Sequence, residues 1–236
     1  MPELSVNRKS VGKLFSEMQN KKFIIPDFQR PYSWDVEKCE TLWQDISNFL
    51  ETEENPQADY FLGTIVSNKD DNDNQEIIDG QQRITTLSLI LRAFYYKLEQ
   101  MSQNDKNVIG LMNKVAPCIW DVDEISNEIT DRECIHIESF VATDDDNQAF
   151  HSILKTGEAI KGTEDSYSKN YAYFLNVARN IRERRSLLGK LNEVYNSKTR
   201  KNLRDKLLEA HSLKCPSGKH LATTRNIGLV EAVDAV

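Results

Sequence analysis

The chain has 236 residues, 39% hydrophobic and 28% charged, enough for one large domain or two small ones with a real core. Its formal net charge of -7 excludes a uniformly basic nucleic-acid binder but leaves room for a local basic face. Four scattered cysteines, Cys39, Cys118, Cys134 and Cys215, form no C-x-x-C pair, which excludes a zinc ribbon and a dithiol redox motif and points to a reducing compartment.

The opening "MPELSVNRKS" has no apolar run of the signal-peptide kind, and no apolar stretch is long enough to span a bilayer, so a cytoplasmic protein without a membrane partner is expected. Val11, Leu14, Phe15 and Met18 then keep helical spacing behind Ser10, a candidate N-cap. Phe23 to Ile25 reads as a short strand, and Pro26 and Pro31 force extended or turn geometry across "IPDFQRPYSW". Within that segment Phe28 and Trp34 are expected in the core. Val36, Cys39, Leu42, Trp43, Ile46, Phe49 and Leu50 form one helical stripe, with Ser33 as the candidate cap. "YFLGTIVSNK" and "QEIIDG" read as strands joined through "DDNDN" into an antiparallel hairpin. A core helix opens at Gln81 or Gln82 and runs to about Met101 through Ile84, Leu87, Leu91, Phe94 and Leu98.

Further on, Asn104 to Trp120 reads as a helix stopped near Pro117. "ECIHIESF" reads as a short strand and "DDDNQAFHSILKTG" as an acid-capped helix ending at Gly157. From Tyr167 the pattern is mostly helical, with Tyr171, Leu175, Ala178 and Ile181 on one face and a second segment from about Leu187 to Leu213. Arg179 to Lys206 is rich in base, and such a run is either a solvated helix face or a phosphate-facing surface. On the second reading Arg182, Arg184, Arg185, Lys201 and Arg204 are the candidates for DNA contact. The stretch after Lys214 has no clear period and reads as an element cut off at the C-terminus.

The five letters between strand and core helix, Asp79 to Arg83, carry the chemistry. The first N–H groups of a helix lack internal partners and sit at the positive end of its dipole, a seat for an anion such as phosphate. Gly80 allows close approach and an unusual φ, and Arg83 offers a forked, permanent cation to phosphate oxygens. Gln81 and Gln82 can donate amide hydrogens or orient a water. Asp79, odd beside an anion, makes sense holding Mg²⁺ or positioning a water. The plain alternative is structural: Asp79 caps, Gly80 turns and Arg83 pairs with a nearby acid. A second amide–guanidinium pair, Gln29 and Arg30, stands among Phe28, Tyr32 and Trp34, aromatics that either stack on a base or fill the core.

"IPDFQRPYSW", "YFLGTIV" and "IIDGQQRITTL", in that order, resemble the N-terminal domain of GmrSD-type restriction endonucleases, related to the ParB/sulfiredoxin-like phosphate-binding fold. The likeness is strong from about Ser5 to Met101 and continues more weakly through "DDDNQAFHSIL" and "SKNYAYFL". It implies an α+β fold: a small ParB/sulfiredoxin-like sheet with packed helices over residues 1–101, then a mainly helical region over 102–236, incomplete at its end. It further implies Mg²⁺-dependent binding and hydrolysis of nucleoside triphosphates, regulating cleavage of modified, phage-type DNA. The matching positions are Asp79, Gly80, Gln81, Gln82 and Arg83 in one motif, Gln29, Arg30 and Tyr32 in the other, and the threonines Thr85 and Thr86, whose hydroxyls either reach phosphate or bond back into the helix. A non-hydrolysing nucleotide or DNA-phosphate module and an interaction scaffold are the rival readings.

Full-length members usually continue into an HNH-type nuclease. The four histidines here, His136, His151, His211 and His220, form no such constellation, so any nuclease is expected on another domain or subunit. "SGKH" lacks the earlier glycine and final hydroxyl of a P-loop, and "DDNDNQ" has Gln75 and Gln81 where an EF-hand needs Gly and Glu.

Overall fold

The computed structural model describes residues 7–52, 60–101, 105–141, 144–159 and 165–179. In chain order the elements are α1 (Val11–Ser16), β1 (Phe23–Ile25), α2 (Val36–Thr52), β2 (Val66–Lys69), β3 (Gln75–Asp79), α3 (Gln81–Glu99), α4 (Lys106–Val115) with a 3-10 turn at Ala116–Cys118, β4 (Ile137–Ser139) and α5 (Asp144–Thr156). Residues 166–179 form a further helix, α6. This is an α+β fold, as the resemblance implies. Among the described residues, no helix is long and apolar enough to cross a membrane.

The sheet runs β2-β3-β1-β4. β3 and β4 flank β1 in parallel, and β2 returns antiparallel to β3. The hairpin closes because the Asp70 carboxylate accepts from the backbone N–H groups of Asn72 and Asn74, which bends the chain into an Asx-type turn. Lys21 and Lys69 pair with Asp73 in the same turn and hold its carboxyl down at about 2. Alternation along the strands sends Phe23, Ile25, Ile77 and Ile137 into the core. Ile24, Glu76, Ile78 and Glu138 fall on the other, less covered face.

Helix α3 is buried on nearly every side, its wide apolar face packed into the core. Ile84, Leu89, Ile90 and Ala93 are completely buried, and Leu87, Leu91, Phe94 and Leu98 nearly so. Its small polar residues pair back into the helix: Ser88 Oγ donates to Ile84 O and Thr86 Oγ1 to Gln82 O. Trp43 of α2 packs on Phe94 with ring centroids 5.8 Å apart, and Phe15 of α1 meets Phe23 edge-on at 5.3 Å. Arg92, buried in the same helix, donates from Nε to Leu154 O of α5 and pairs with Glu99 at 3.3 Å. The first bond ties the distal half of α3 to α5.

Several boundaries depart from the sequence pattern. α2 is capped by Asp35, whose Oδ1 accepts from Lys38 N at 2.9 Å, and not by Ser33, whose backbone N–H donates to Gln82 Oε1. Only Val66–Lys69 of "YFLGTIVSNK" is strand, because β3 offers partners only that far. Phe28, expected in the core, is 70% exposed: a turn closed by Gln29 N to Pro26 O ends β1 and carries it outward. Ile181, the segment from Leu187 to Leu213, Cys215, the tail after Lys214 and the five DNA-contact candidates lie outside the described residues.

His136 supplies a pH test of this core. It is 3% exposed, with Nε2 3.0 Å from Asp121 Oδ1, and burial pushes its pKa down although Asp121 pulls it up. Since the folded pKa lies below the unfolded value of about 6.5, the unfolded chain protonates first as pH falls. Stability is therefore full above that value and declines below it. His151, also depressed mainly by burial, acts in the same direction. The urea midpoint should drop between pH 7.5 and pH 5.5, and less so in His136→Gln; an equal drop in both proteins would remove His136 from the explanation.

Candidate functional site

Asp79 ends β3, Gly80 turns, and α3 begins at Gln81. Gly80 sits at φ 96, where an L side chain is strained, and a Cβ there would come within 3.0 Å of Ile65 Cγ1 and 3.2 Å of Thr64 O. Glycine is required twice over, for conformation and for contact with the segment before β2. As N-cap it brings no side chain to the first N–H groups of α3. The positive end of a 19-residue helix therefore starts without a carboxylate or hydroxyl cap.

The loop Gln29–Trp34 is laid across this junction by amide side chains. Gln29 Nε2 donates to Ile78 O at 3.0 Å, next to Asp79. Gln81 Nε2 donates to Arg30 O at 2.9 Å. Gln82 uses both ends of its amide: Nε2 donates to Pro31 O and Oε1 accepts from Ser33 N, each at 2.9 Å. Tyr32 OH meets Thr86 Oγ1 at 2.9 Å and accepts from Asn170 Nδ2 of α6 at 2.9 Å, while its ring stacks on Tyr167 at 4.8 Å. Asn170 Nδ2 also donates to Trp34 O. Burial raises the Tyr32 phenol well above its ordinary value and the nearby Cys39 thiol to about 11, so both stay protonated and neither is a nucleophile near neutral pH.

The residues singled out in the sequence thus divide by exposure. Gln81, Gln82, Thr85 and Thr86 are buried, and Thr86 takes the back-bonded arrangement, donating to Gln82 O. Arg30 and Asp79 are exposed, and Arg83 is partly so. Arg83 Nη2 lies 3.5 Å from Asp79 Oδ2, an ion pair whose acid is 65% exposed. A pair so open to water holds its members weakly. Among the described residues no ion pair engages Arg30. Gln81 Oε1 is buried and has no hydrogen-bond partner among the described residues, an orphan acceptor in the first turn of α3 beside the Arg30 backbone.

Two residues escaped the sequence reading. Gly63, at φ 104, lies under the Arg83 guanidinium; a Cβ there would fall 1.8 Å from Nη1 and 3.0 Å from Cζ. The available signal was a lone glycine in the apolar run "YFLGTIV", which marks close backbone approach. Asn170 links α6 to the Gln29–Trp34 loop across 138 residues of sequence, and nothing local announces it.

No cage of three or more carboxylate, His or Cys side chains stands among the described residues. Asp79, exposed at the end of β3, offers a carboxylate to a cation at this junction. That suits an ion such as Mg²⁺, which takes one or two protein carboxylates and completes its shell with phosphates and water.

A family model described as "GmrSD restriction endonuclease, N-terminal domain" matches residues 11–216. No curated protein matches the chain.

Proposed function

The chain belongs to the family of GmrSD restriction endonuclease N-terminal domains and is thus a component of a restriction system; from that premise we propose that it binds nucleoside triphosphates with Mg²⁺ and hydrolyses them at the β3–α3 junction. One observation carries the reading. Two arginines stand at the uncapped, dipole-positive start of a buried helix: loosely held Arg83 in its first turn, and exposed Arg30, whose backbone carbonyl accepts from Gln81 Nε2. A polyphosphate supplies the charge and the acceptors that this arrangement lacks.

On this reading Arg83 and Arg30 bind the phosphates, with Gly80 leaving the backbone bare beside them. Asp79 would hold Mg²⁺ together with the phosphates, and the bound ion would neutralise their charge. Gln81 would position the attacking water once bound phosphates open the first turn, since its Oε1 has no partner but is closed to solvent while its Nε2 holds Arg30 O. Water adds across the terminal phosphoanhydride, and the products are nucleoside diphosphate, inorganic phosphate and a proton. Gln82, Thr86, Tyr32 and Gln29 act through the loop that they hold in place, and Thr85 supports the first turn of α3 from within the core. Because Asn170 ties the same loop to α6, phosphate release would shift the helical half. That half leads toward the basic residues proposed for modified DNA, and a nuclease domain or subunit would complete the system.

The purified chain, given Mg²⁺ and each of the four nucleoside triphosphates, is expected to release phosphate. A raised melting temperature without release would instead establish a non-hydrolysing module. Neither release nor a shift would end the nucleotide reading.

A further inference from the structure

Exposed large apolar side chains are costly, and among the described residues several collect at one end of the sheet. Continuing the β1–β3 and β1–β4 registers by one or two residues brings Ile78 and Phe140 level with Pro26. Phe140 N donates to Ile25 O, which anchors it there. From Pro26 the chain turns and presents Phe28. Phe28 is 70% exposed, Phe140 58% and Ile78 42%. With neighbouring strands about 4.8 Å apart, the three strand ends span roughly 10 Å.

This apolar patch adjoins the polar junction. Gln29, next to Phe28, is bonded to Ile78 O, and Asp79 and the start of α3 follow Ile78 directly. Arg30 follows Gln29. An occupant that fits both parts has a flat apolar body joined to a polyanion. A purely apolar partner leaves the guanidiniums unused, and free phosphate leaves the rings bare.

We propose that Phe28, flanked by Phe140 and Ile78, is the platform on which the base of the nucleoside triphosphate stacks while its phosphates occupy the start of α3. This rests on the reading of the junction as a nucleotide site and adds the recognition of the base. Stacking uses a π-face that every base has, so the platform is sequence-tolerant. It distinguishes a nucleotide from inorganic polyphosphate, and larger purines should gain more than pyrimidines.

Calorimetric titration of the full chain with Mg²⁺ tests it, using β,γ-methylene ATP and inorganic tripolyphosphate as probes. The nucleotide analogue should bind tighter by about five- to hundredfold, as loss or gain of one base–aromatic stack implies. Phe28→Ala should bring the analogue down to the affinity of tripolyphosphate, and Phe28→Trp should keep the preference. Equal binding of both probes by the native protein would overturn the platform and leave the phosphate seat standing. A preference that survives Phe28→Ala would overturn it as well. Binding of neither probe would overturn both proposals. Self-association abolished by Phe28→Ala would assign the patch to a second copy of the chain instead.

Discussion

Replacing Arg83 with alanine is expected to lower phosphate release by about 10²–10³-fold, the loss typical when a preorganised donor to developing charge is removed. The expectation follows from where the side chain spends its energy. Its Asp79 partner is 65% exposed, and the 3.5 Å separation is long for a charge-assisted hydrogen bond. An open pair of this kind contributes about 0–1 kcal/mol to folding. The variant should therefore melt close to the native temperature while losing turnover, and nucleotide should no longer stabilise it. Native turnover by Arg83→Ala would remove the guanidinium from the chemistry. A collapse of the melting temperature would make its role structural.

Gly63→Ala is expected to cost both stability and rate. At φ 104 an alanine is strained, and non-glycine residues held in such regions cost about 1–3 kcal/mol. The new Cβ would also overlap Arg83 Nη1, so the guanidinium must leave its place. Displacing a catalytic group by about an ångström can cost on the order of 10²-fold in rate. A double-variant cycle separates the two effects. If Gly63 acts by giving Arg83 its position, Gly63→Ala should cost little further rate in the Arg83→Ala background while still lowering the urea midpoint. Additive losses of rate would mean that Gly63 acts on the site by another route.

The proposed site was partly legible in the sequence because its two motifs each put an amide beside a guanidinium in a place where helices and turns begin. The likeness to a known family came from the same residues. Residue type does not reveal which amide faces solvent and which is used as internal glue. Gln81 and Gln82 are adjacent and chemically alike, yet Gln82 is satisfied at both ends and Gln81 keeps one acceptor free. Phe28 misled for a related reason. Hydrophobicity indicates that a phenylalanine prefers burial, whereas the Pro26 turn that exposes it is set by where β1 meets its neighbours.

By itself the sequence determined the local elements: Ser10 over α1, the Asx-type turn of the β2–β3 hairpin, and an α3 whose wide apolar face belongs against a core. These follow from periodicity, capping and turn chemistry, which act between near neighbours and are written in adjacent letters. Only the tertiary structure decided that β4 would lie beside β1, that Gly63 would sit beneath Arg83, and that Asn170 would hold the loop before α2. Such pairings join residues from about 20 to more than 100 positions apart, and their energy is gained only after loop closure has been overcome. They are chosen by the packing of whole faces, which no short window of sequence contains.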